Sequence, residues 1–351
     1  MNSADCSGEL TLASTPTKPR IAIVATGGTI ASTAGDSAQL ADYQVSTGVE
    51  KLVAAVPGLT DVADLAFDQV CNIESHEIDD GVLFRLARSV QAFCDRDDID
   101  GVVVTHGTDT LEETAFFLHL TIDTRKPVVM VGAMRPASAL SADGPLNLFH
   151  AVVVAAAHGS AGKGVLVVMN DRIASARHVV KGHANGVDAF VPTEFGYLGL
   201  VYGRWVQYLG DVVLPHTSDS DFKGVFEAGD TEQKQNTLPA VDIIMDHQGA
   251  GVHQYRAAID AGVKGIVLAA TGQGSLSPQA SQGARVAKEA GVLVVRSTRV
   301  WQGVVRPSEK DAAHGTLAAF TLGPSKARVL LRLALTRSAA ASAIQGWFAT
   351  Y

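Results

Sequence analysis

Cysteine is scarce in this chain of 351 residues: Cys6, Cys71 and Cys94 are the whole set. An odd number at wide spacing builds no disulfide framework, and neither a CxxC pair nor a Cys/His zinc pattern is present. Such thiols are expected to be buried structural side chains. Lysine and arginine form no cluster, and 28 of them against 36 acidic residues leave a formal charge of −8, with no electrostatic footprint for nucleic acid. No apolar run is long enough to span a bilayer, so no membrane partner is expected. The opening "MNSADCSGELTLASTPTKPR" lacks the basic head and apolar core of a secretory leader. The expected location is therefore cytoplasmic, or periplasmic if a leader has been removed. Repeats and low-complexity tracts are missing too, and no G-x-G-x-x-G follows the first strand, which argues against a dinucleotide binder. His247 and His253 with Asp246 match no common metal spacing.

What is present is the composition of a packed globular protein, 47% hydrophobic and only 18% charged, which excludes a disordered chain. "RIAIVAT", from Arg20, reads as a strand that ends at the Gly27-Gly28 turn. Further strands are predicted over Asp64–Cys71, Gly101–Thr105, Val128–Gly132 and Gly164–Met169, with helices over Ile78–Phe93, Leu111–Leu120 and Pro145–Ala157. Near-continuous apolar strands alternating with helices predict an α/β fold, its mostly parallel sheet covered by helices on both faces. A polar stretch from His216 to Pro239 precedes a second set of strands, "VDIIM", "GIVLAA" and "GVLVVRS", and a last amphipathic helix, "SKARVLLRLAL". The expected organisation is a flexible segment 1–19, a larger N-terminal α/β domain 20–215, a linker 216–238 and a smaller C-terminal α/β domain 239–351 with its own parallel sheet. "STAGDSAQLADYQVSTG" reads as a mobile loop that contains Tyr43.

The chemistry gathers where strands end. In "GVVVTHGTDTLEETAFFL", Thr110 and Glu113 form a capping-box pattern that opens a helix, so Thr108 and Asp109 fall in the turn between strand and helix. Open parallel sheets bind ligands at that edge. Helix N-terminal N–H groups favour negative charge there, including a developing oxyanion. "TGGTIAS" places Thr29 after the first strand, "VGAMRP" follows another, and "NDRIASARHVVKGHAN" leads from Met169 to Lys181. From residues alone this is an α/β ligand-binding protein or an enzyme.

"ATGGTIAS", "THGTDTLEETAFFL", "VVMVGAMRP" and "SADGPLNL", in this order, resemble the bacterial-type L-asparaginase and glutaminase-asparaginase family, closest to its type II branch. The resemblance runs from about Arg20 to the C-terminus and includes "VVRSTRV" and "KARVLLRLAL". It implies hydrolysis of the side-chain amide of L-asparagine to aspartate and ammonia, with lower activity on L-glutamine and without metal or organic cofactor. It also implies a homotetramer built from tight dimers, each site lying between one subunit's N-terminal domain and its neighbour's C-terminal domain.

By the same resemblance, Thr29 matches the nucleophile and Tyr43 the lid tyrosine that activates it, while Thr108, Asp109 and Lys181 match a second hydroxyl–carboxylate–amine set. A threonine hydroxyl is a weak nucleophile near neutral pH, and an amide is a poor electrophile, so a base and oxyanion donors are required. Thr29 is expected to form an acyl-enzyme, and Thr108 with Lys181 to activate the hydrolytic water, although the sequence does not decide which threonine attacks first. Asp109 has two candidate duties, fixing Lys181 and receiving the substrate's α-ammonium. Ser75 matches the residue that grips the α-carboxylate, and Ala133 the position whose backbone carbonyl orients the leaving amide. Three positions depart from the pattern. His76 stands where relatives often carry Gln or Glu. Gln273, facing the neighbour's substrate, replaces Asn or a small residue. In "RPSEK" an ungapped match lands on Ser308, with Glu309 next to it favoured as the acidic group. Cys94 matches a disulfide position of some secreted relatives, but Thr124 stands in place of its partner. Two other classes fit the sequence less well. The amidotransferase subunit that acts on charged tRNA needs a further N-terminal domain and a basic face. A non-catalytic amino-acid binder predicts loss of part of the Thr/Lys/Asp set, all of which is present.

Overall fold

The computed structural model describes residues 18–33, 44–45, 48–227 and 237–351. Strand β1 (Arg20–Gly27) is buried in all but its first residue, as a central strand covered on both faces must be. The short β2 (Ser32–Thr33) and β3 (Gln44–Val45) pair antiparallel. Helices α1 (Val49–Ala54) and α2 (Leu59–Val62) come next. Strands β4 (Asp64–Ile73), β5 (Gly101–Thr105), β6 (Val128–Val131) and β7 (Val165–Met169) then alternate with helices α3 (Asp80–Cys94), α4 (Leu111–Thr121) and α5 (Gly144–Ala156). After β7, Asn170 and Asp171 both take positive φ, 49° and 63°, the conformation of a two-residue hairpin turn. The chain accordingly returns as β8 (Arg172–Ser175), antiparallel to β7. β9 (Val179–Lys181) and β10 (Phe190–Pro192) form a separate two-stranded ribbon. β11 (Gly199–Tyr202) and β12 (Trp205–Tyr208) complete the large sheet, ordered β12-β11-β8-β7-β6-β5-β1-β4.

The second sheet holds β13 (Val241–Met245), β14 (Gly265–Ala270), β15 (Leu293–Thr298) and β16 (Thr316–Ala318), side by side and all parallel. Helices α6 (His253–Asp260), α7 (Pro278–Glu289), α8 (Lys310–His314), α9 (Pro324–Arg337) and α10 (Ala341–Thr350) accompany it. The fold is thus α/β, a large, mainly parallel sheet with helices on both faces and a small parallel one. Alternation along β1 divides its two faces. Ala22 and Val24 join Phe84, Leu111 and Phe116 of α3 and α4, while Ile21 and Ile23 join Leu52, Leu59 and Leu148 of α1, α2 and α5. The first of these cores continues without a break into Leu330, Ile344 and Phe348 beside the small sheet.

Two local differences from the expected elements have physical causes. Helix α3 begins at Asp80 rather than Ile78 because Asp79 caps it, its carboxylate accepting the Val82 N–H. The polar stretch after His216 hides two aromatic anchors, for Phe222 and Phe226 are buried. Phe222 lies 5.4 Å from the rings of both Trp347 and Tyr351.

A charged pair ties the two sheets' helices together. Arg332 of α9 donates to both carboxylate oxygens of Asp80 at the start of α3, at 2.9 and 2.5 Å, and also to the carbonyls of Pro239 and Leu238. Both side chains are largely buried. Asp80→Ala is expected to strand the guanidinium and cost about 3 kcal/mol, seen as a lower urea midpoint. An unchanged midpoint would show that the carbonyls alone satisfy Arg332.

Candidate active site

From β1 the chain first moves to β4 on one side and then to β5 on the other. Such a reversal opens a crevice beyond the strands' C-terminal ends, here between β1 and β5. Thr29 and Thr108 follow those two strands, and both are buried. Their turns touch. Gly28 has φ 82°, and a Cβ there would lie 2.3 Å from Gly107 Cα, so no other residue fits. A Cβ on Gly132, after β6, would lie 3.0 Å from the Thr108 methyl, which brings Ala133 to the same edge. Ser75, beyond β4, is joined to it by Thr110, whose hydroxyl donates to the Ser75 carbonyl at 2.7 Å while its N–H reaches Ser75 Oγ at 3.3 Å. Thr29 itself opens a short 3₁₀ turn, Thr29–Ala31. That turn is pinned by Gly28 N–H on the Ile73 carbonyl at 3.1 Å and by Ser32 Oγ on the Gly28 carbonyl at 2.9 Å.

Lys181 arrives from β9, outside the large sheet. Its Nζ donates to Thr108 Oγ1 at 2.9 Å and to Asp109 Oδ1 at 2.6 Å. The lysine side chain is 17% exposed and the aspartate 62%, so the ammonium is mostly desolvated and is held by one carboxylate. A hydroxyl that accepts from an ammonium directs its own proton elsewhere and is better able to carry negative charge when it gives that proton up. Thr108 therefore has the surroundings of an activated hydroxyl.

The loop at Ala133 is framed from α5. Asn147 Nδ2 donates to the Gly132 carbonyl at 3.1 Å, and Asp143 accepts from Met134 N–H at 3.0 Å and Arg135 N–H at 2.9 Å. The backbone on both sides of Ala133 is thereby held. Sequence reading assigned no role to Asp143 or Asn147. Their spacing of four in "SADGPLNL", one helical turn, was the available signal.

One expectation is corrected. Thr110 and Glu113 do not form a capping box: Thr110 caps no N–H of α4, because its hydroxyl is committed to Ser75. Burial raises the Glu113 carboxyl above its ordinary range. Tyr43 lies outside the described residues. His76 is exposed, its Nδ1 3.4 Å from the Glu74 carboxylate, and with Ser75 it lines a cavity of about 570 Å³ that also meets Glu113, Arg328 and Arg332. Gln273, Ser308 and Glu309 form a second group, around a cavity of about 1020 Å³ on loops of the small sheet. Arg296 joins those loops, donating to the Gly274 and Arg306 carbonyls at 3.0 and 3.1 Å and to both oxygens of Asp311.

Residues 20–214 match the family described as Asparaginase, N-terminal, and residues 240–348 match the Glutaminase/Asparaginase C-terminal domain. An L-asparaginase 2 from Bacillus subtilis (strain 168) is 46% identical over 334 residues, 95% of this chain and 87% of that one. A glutaminase-asparaginase from Acinetobacter glutaminasificans is 42% identical over 338 residues, 95% of this chain and 100% of that one. Among solved structures, a probable cytoplasmic L-asparaginase from Campylobacter jejuni superimposes with a TM-score of 0.90 at 41% identity, covering 95% of this chain and 100% of that one.

His106, between the two threonine turns, is wholly buried, and burial pulls its pKa from the ordinary 6.5 to about 4, partly opposed by its contact with the Gly107 carbonyl. His119 is likewise held well below its ordinary value, by burial and by the neighbouring His216. Between pH 6.5 and about 4 the unfolded chain binds protons at these sites that the folded protein refuses. Stability is expected to be complete above that window and to fall as the pH drops through it. Urea midpoints on either side of pH 6.5 check this, and a midpoint that rises on acidification would contradict it.

Proposed function

Because the chain belongs to the glutaminase/asparaginase family, we propose that the residues gathered between β1 and β5 are the site at which it hydrolyses the side-chain amide of L-asparagine, releasing L-aspartate and ammonia, with weaker action on L-glutamine. The observation that carries this assignment is the ammonium of Lys181 bonded at once to Thr108 Oγ1 and Asp109 Oδ1, beside the Thr29 turn. Thr29 Oγ attacks the amide carbon, its proton passes to the amide nitrogen, which leaves as ammonia, and an ester joins the aspartyl group to Thr29. Water positioned by Thr108 and the Lys181 ammonium then attacks that ester, and its proton passes by way of the Thr108 hydroxyl to the departing Thr29 oxygen, which restores the hydroxyl. Ser75 binds the α-carboxylate, Asp109 holds Lys181 and meets the α-ammonium, and the Ala133 carbonyl accepts from the departing amide. Tyr43 serves as the activating lid residue.

The same reading assigns residues 20–215 to a catalytic domain and 239–351 to a C-terminal domain, after a segment 1–19 and across a linker 216–238. Its assembly is a homotetramer of tight dimers in which Gln273 and Glu309 of one subunit complete the neighbour's site beside His76. Exposed apolar side chains at one end of each sheet support association: Tyr202 and Trp205 on the terminal hairpin β11–β12, and Ile243 and Met245 on the edge strand β13. No helix among the described residues is long and apolar enough to cross a membrane. A cytoplasmic location is supported by the Cys94 thiol, which burial raises to about 11 and which hydrogen-bonds Thr124 where a bridge partner would stand.

Ammonia release from L-asparagine and L-glutamine tests the proposal. Thr29→Ala and Thr108→Ala are each expected to lower kcat on the order of 10⁴-fold, and Lys181→Met roughly 10²- to 10⁴-fold. A folded wild-type chain that releases no ammonia, or a Thr29→Ala variant with full turnover, would sink it. His76→Gln is expected to change the ratio of the two substrate rates, by an amount within the ~1–3 kcal/mol that one methylene commands.

A further inference from the structure

Lys181 sits on a ribbon of only two strands. On one edge β9 pairs with β10 through Val180 opposite Val191, with Thr193 N–H on the His178 carbonyl at 3.0 Å and Gly182 N–H on the Ala189 carbonyl at 2.8 Å. Backbone groups of alternate residues face opposite edges, so those of Arg177, Val179 and Lys181 face away from β10. Among the described residues no strand pairs with that second edge. Two side chains of opposite charge occupy it instead. Lys326 Nζ donates to the carbonyl of Arg177 at 3.2 Å and to that of Val179, and Glu112 Oε2 accepts the backbone N–H of Lys181 at 2.8 Å. An ammonium meets the two acceptors and a carboxylate meets the donor, the pattern a third strand would supply.

The two come from different halves of the molecule. Glu112 lies in the first turn of α4, three residues after Asp109, so one helix start presents both the partner of the Lys181 ammonium and the partner of its backbone. Lys326 comes from α9, beside the small sheet, and is 3% exposed with its Nζ 5.9 Å from the Phe116 ring. Burial lowers it to about 7, with Glu112 opposing the shift.

We propose that Glu112 and Lys326 are positioning residues that stand in for the missing strand and thereby fix the Lys181 ammonium against Thr108 and Asp109. The inference rests on the reading of Lys181 as a participant in the amide hydrolysis. Neither side chain is assigned a contact with substrate; both act on the backbone that carries Lys181.

The test compares Glu112→Ala, which removes the acceptor, with Glu112→Gln, which keeps an amide oxygen in its place. Lys326→Met and Lys181→Met are made beside them, and asparagine turnover is measured on full-length protein with unchanged circular dichroism and assembly size. Glu112→Ala is expected to lower kcat roughly 10- to 100-fold, the scale of an ångström of misplacement. KM is expected to hold within about 3-fold and Glu112→Gln to recover most of the loss. Lys326→Met is expected to act in the same direction; if it does not fold, the Glu112 pair decides alone. A folded Glu112→Ala with wild-type kcat, or a Glu112→Gln as slow as the alanine variant, overturns the proposal when Lys181→Met is inactive. A fully active Lys181→Met instead overturns the reading on which the proposal rests.

Discussion

A parallel strand needs a crossover that carries the chain back to the same starting end, so the turns that follow such strands all collect at one edge of the sheet. The rest of this molecule's chemistry depends on that constraint. β4, β1, β5 and β6 are neighbours in the large sheet, and Ser75, Thr29, Thr108 and Ala133 are what their turns carry. None of the four is close to another in sequence, except through the sheet. The order of the strands adds the crevice, because the chain leaves β1 in one direction and later returns to its other side. The turns that carry the two threonines meet across that gap, and glycines at 28 and 132 let them approach closely enough to share it.

A sheet edge positions strand ends but cannot position residues that arrive from elsewhere, and here buried cations take over. Lys326 holds the ribbon that bears Lys181, Arg332 holds Asp80 and the chain entering the small sheet, and Arg296 holds the loops of Gln273 and of Ser308 and Glu309. Each is buried, and each donates to backbone carbonyls as well as, for the arginines, to a carboxylate. Such groups are poor contributors to net stability, since an apolar replacement of both partners is often neutral or better. What several fixed donors on one rigid group do supply is geometry. Arg296 ties two loops through one guanidinium fork, which no apolar contact would hold to the same angles.

The central strands were legible as apolar runs because burial on both faces leaves nothing else for them to be, and β5 was read to its residue, Gly101–Thr105. The asparaginase relationship was legible because the turn motifs are local in sequence. Long-range pairings were not. Nothing near Thr110 announces that its hydroxyl goes to a carbonyl thirty-five residues away, and the path from Met169 to Lys181 gives no sign that it doubles back as a separate ribbon. Phe222 and Phe226 were hidden by polar neighbours, since a segment's average polarity says little about two rings that turn inward.

The misread Thr110 shares its form with Glu112 and Asp143, to which the sequence reading gave no role. Thr110, Glu112 and Asp143 are each the residue type that opens a helix: a capping threonine, a first-turn acid and a capping aspartate. In the structure all three bond to the backbone of another loop, at Ser75, Lys181 and Met134–Arg135. Helices α4 and α5 accordingly have no side-chain cap, whereas α3 and α7 are capped by their own Asp79 and Ser277. A helix that gives its capping side chain to a neighbour forgoes about 1 kcal/mol of local stability. In return it leaves its first-turn N–H groups without a side-chain oxygen over them, in the orientation that suits an anion or a developing oxyanion. The conflict between local preference and observed bonding is therefore confined to the edge where chemistry requires it, which is where a sequence consistent everywhere else is expected to break its own rules.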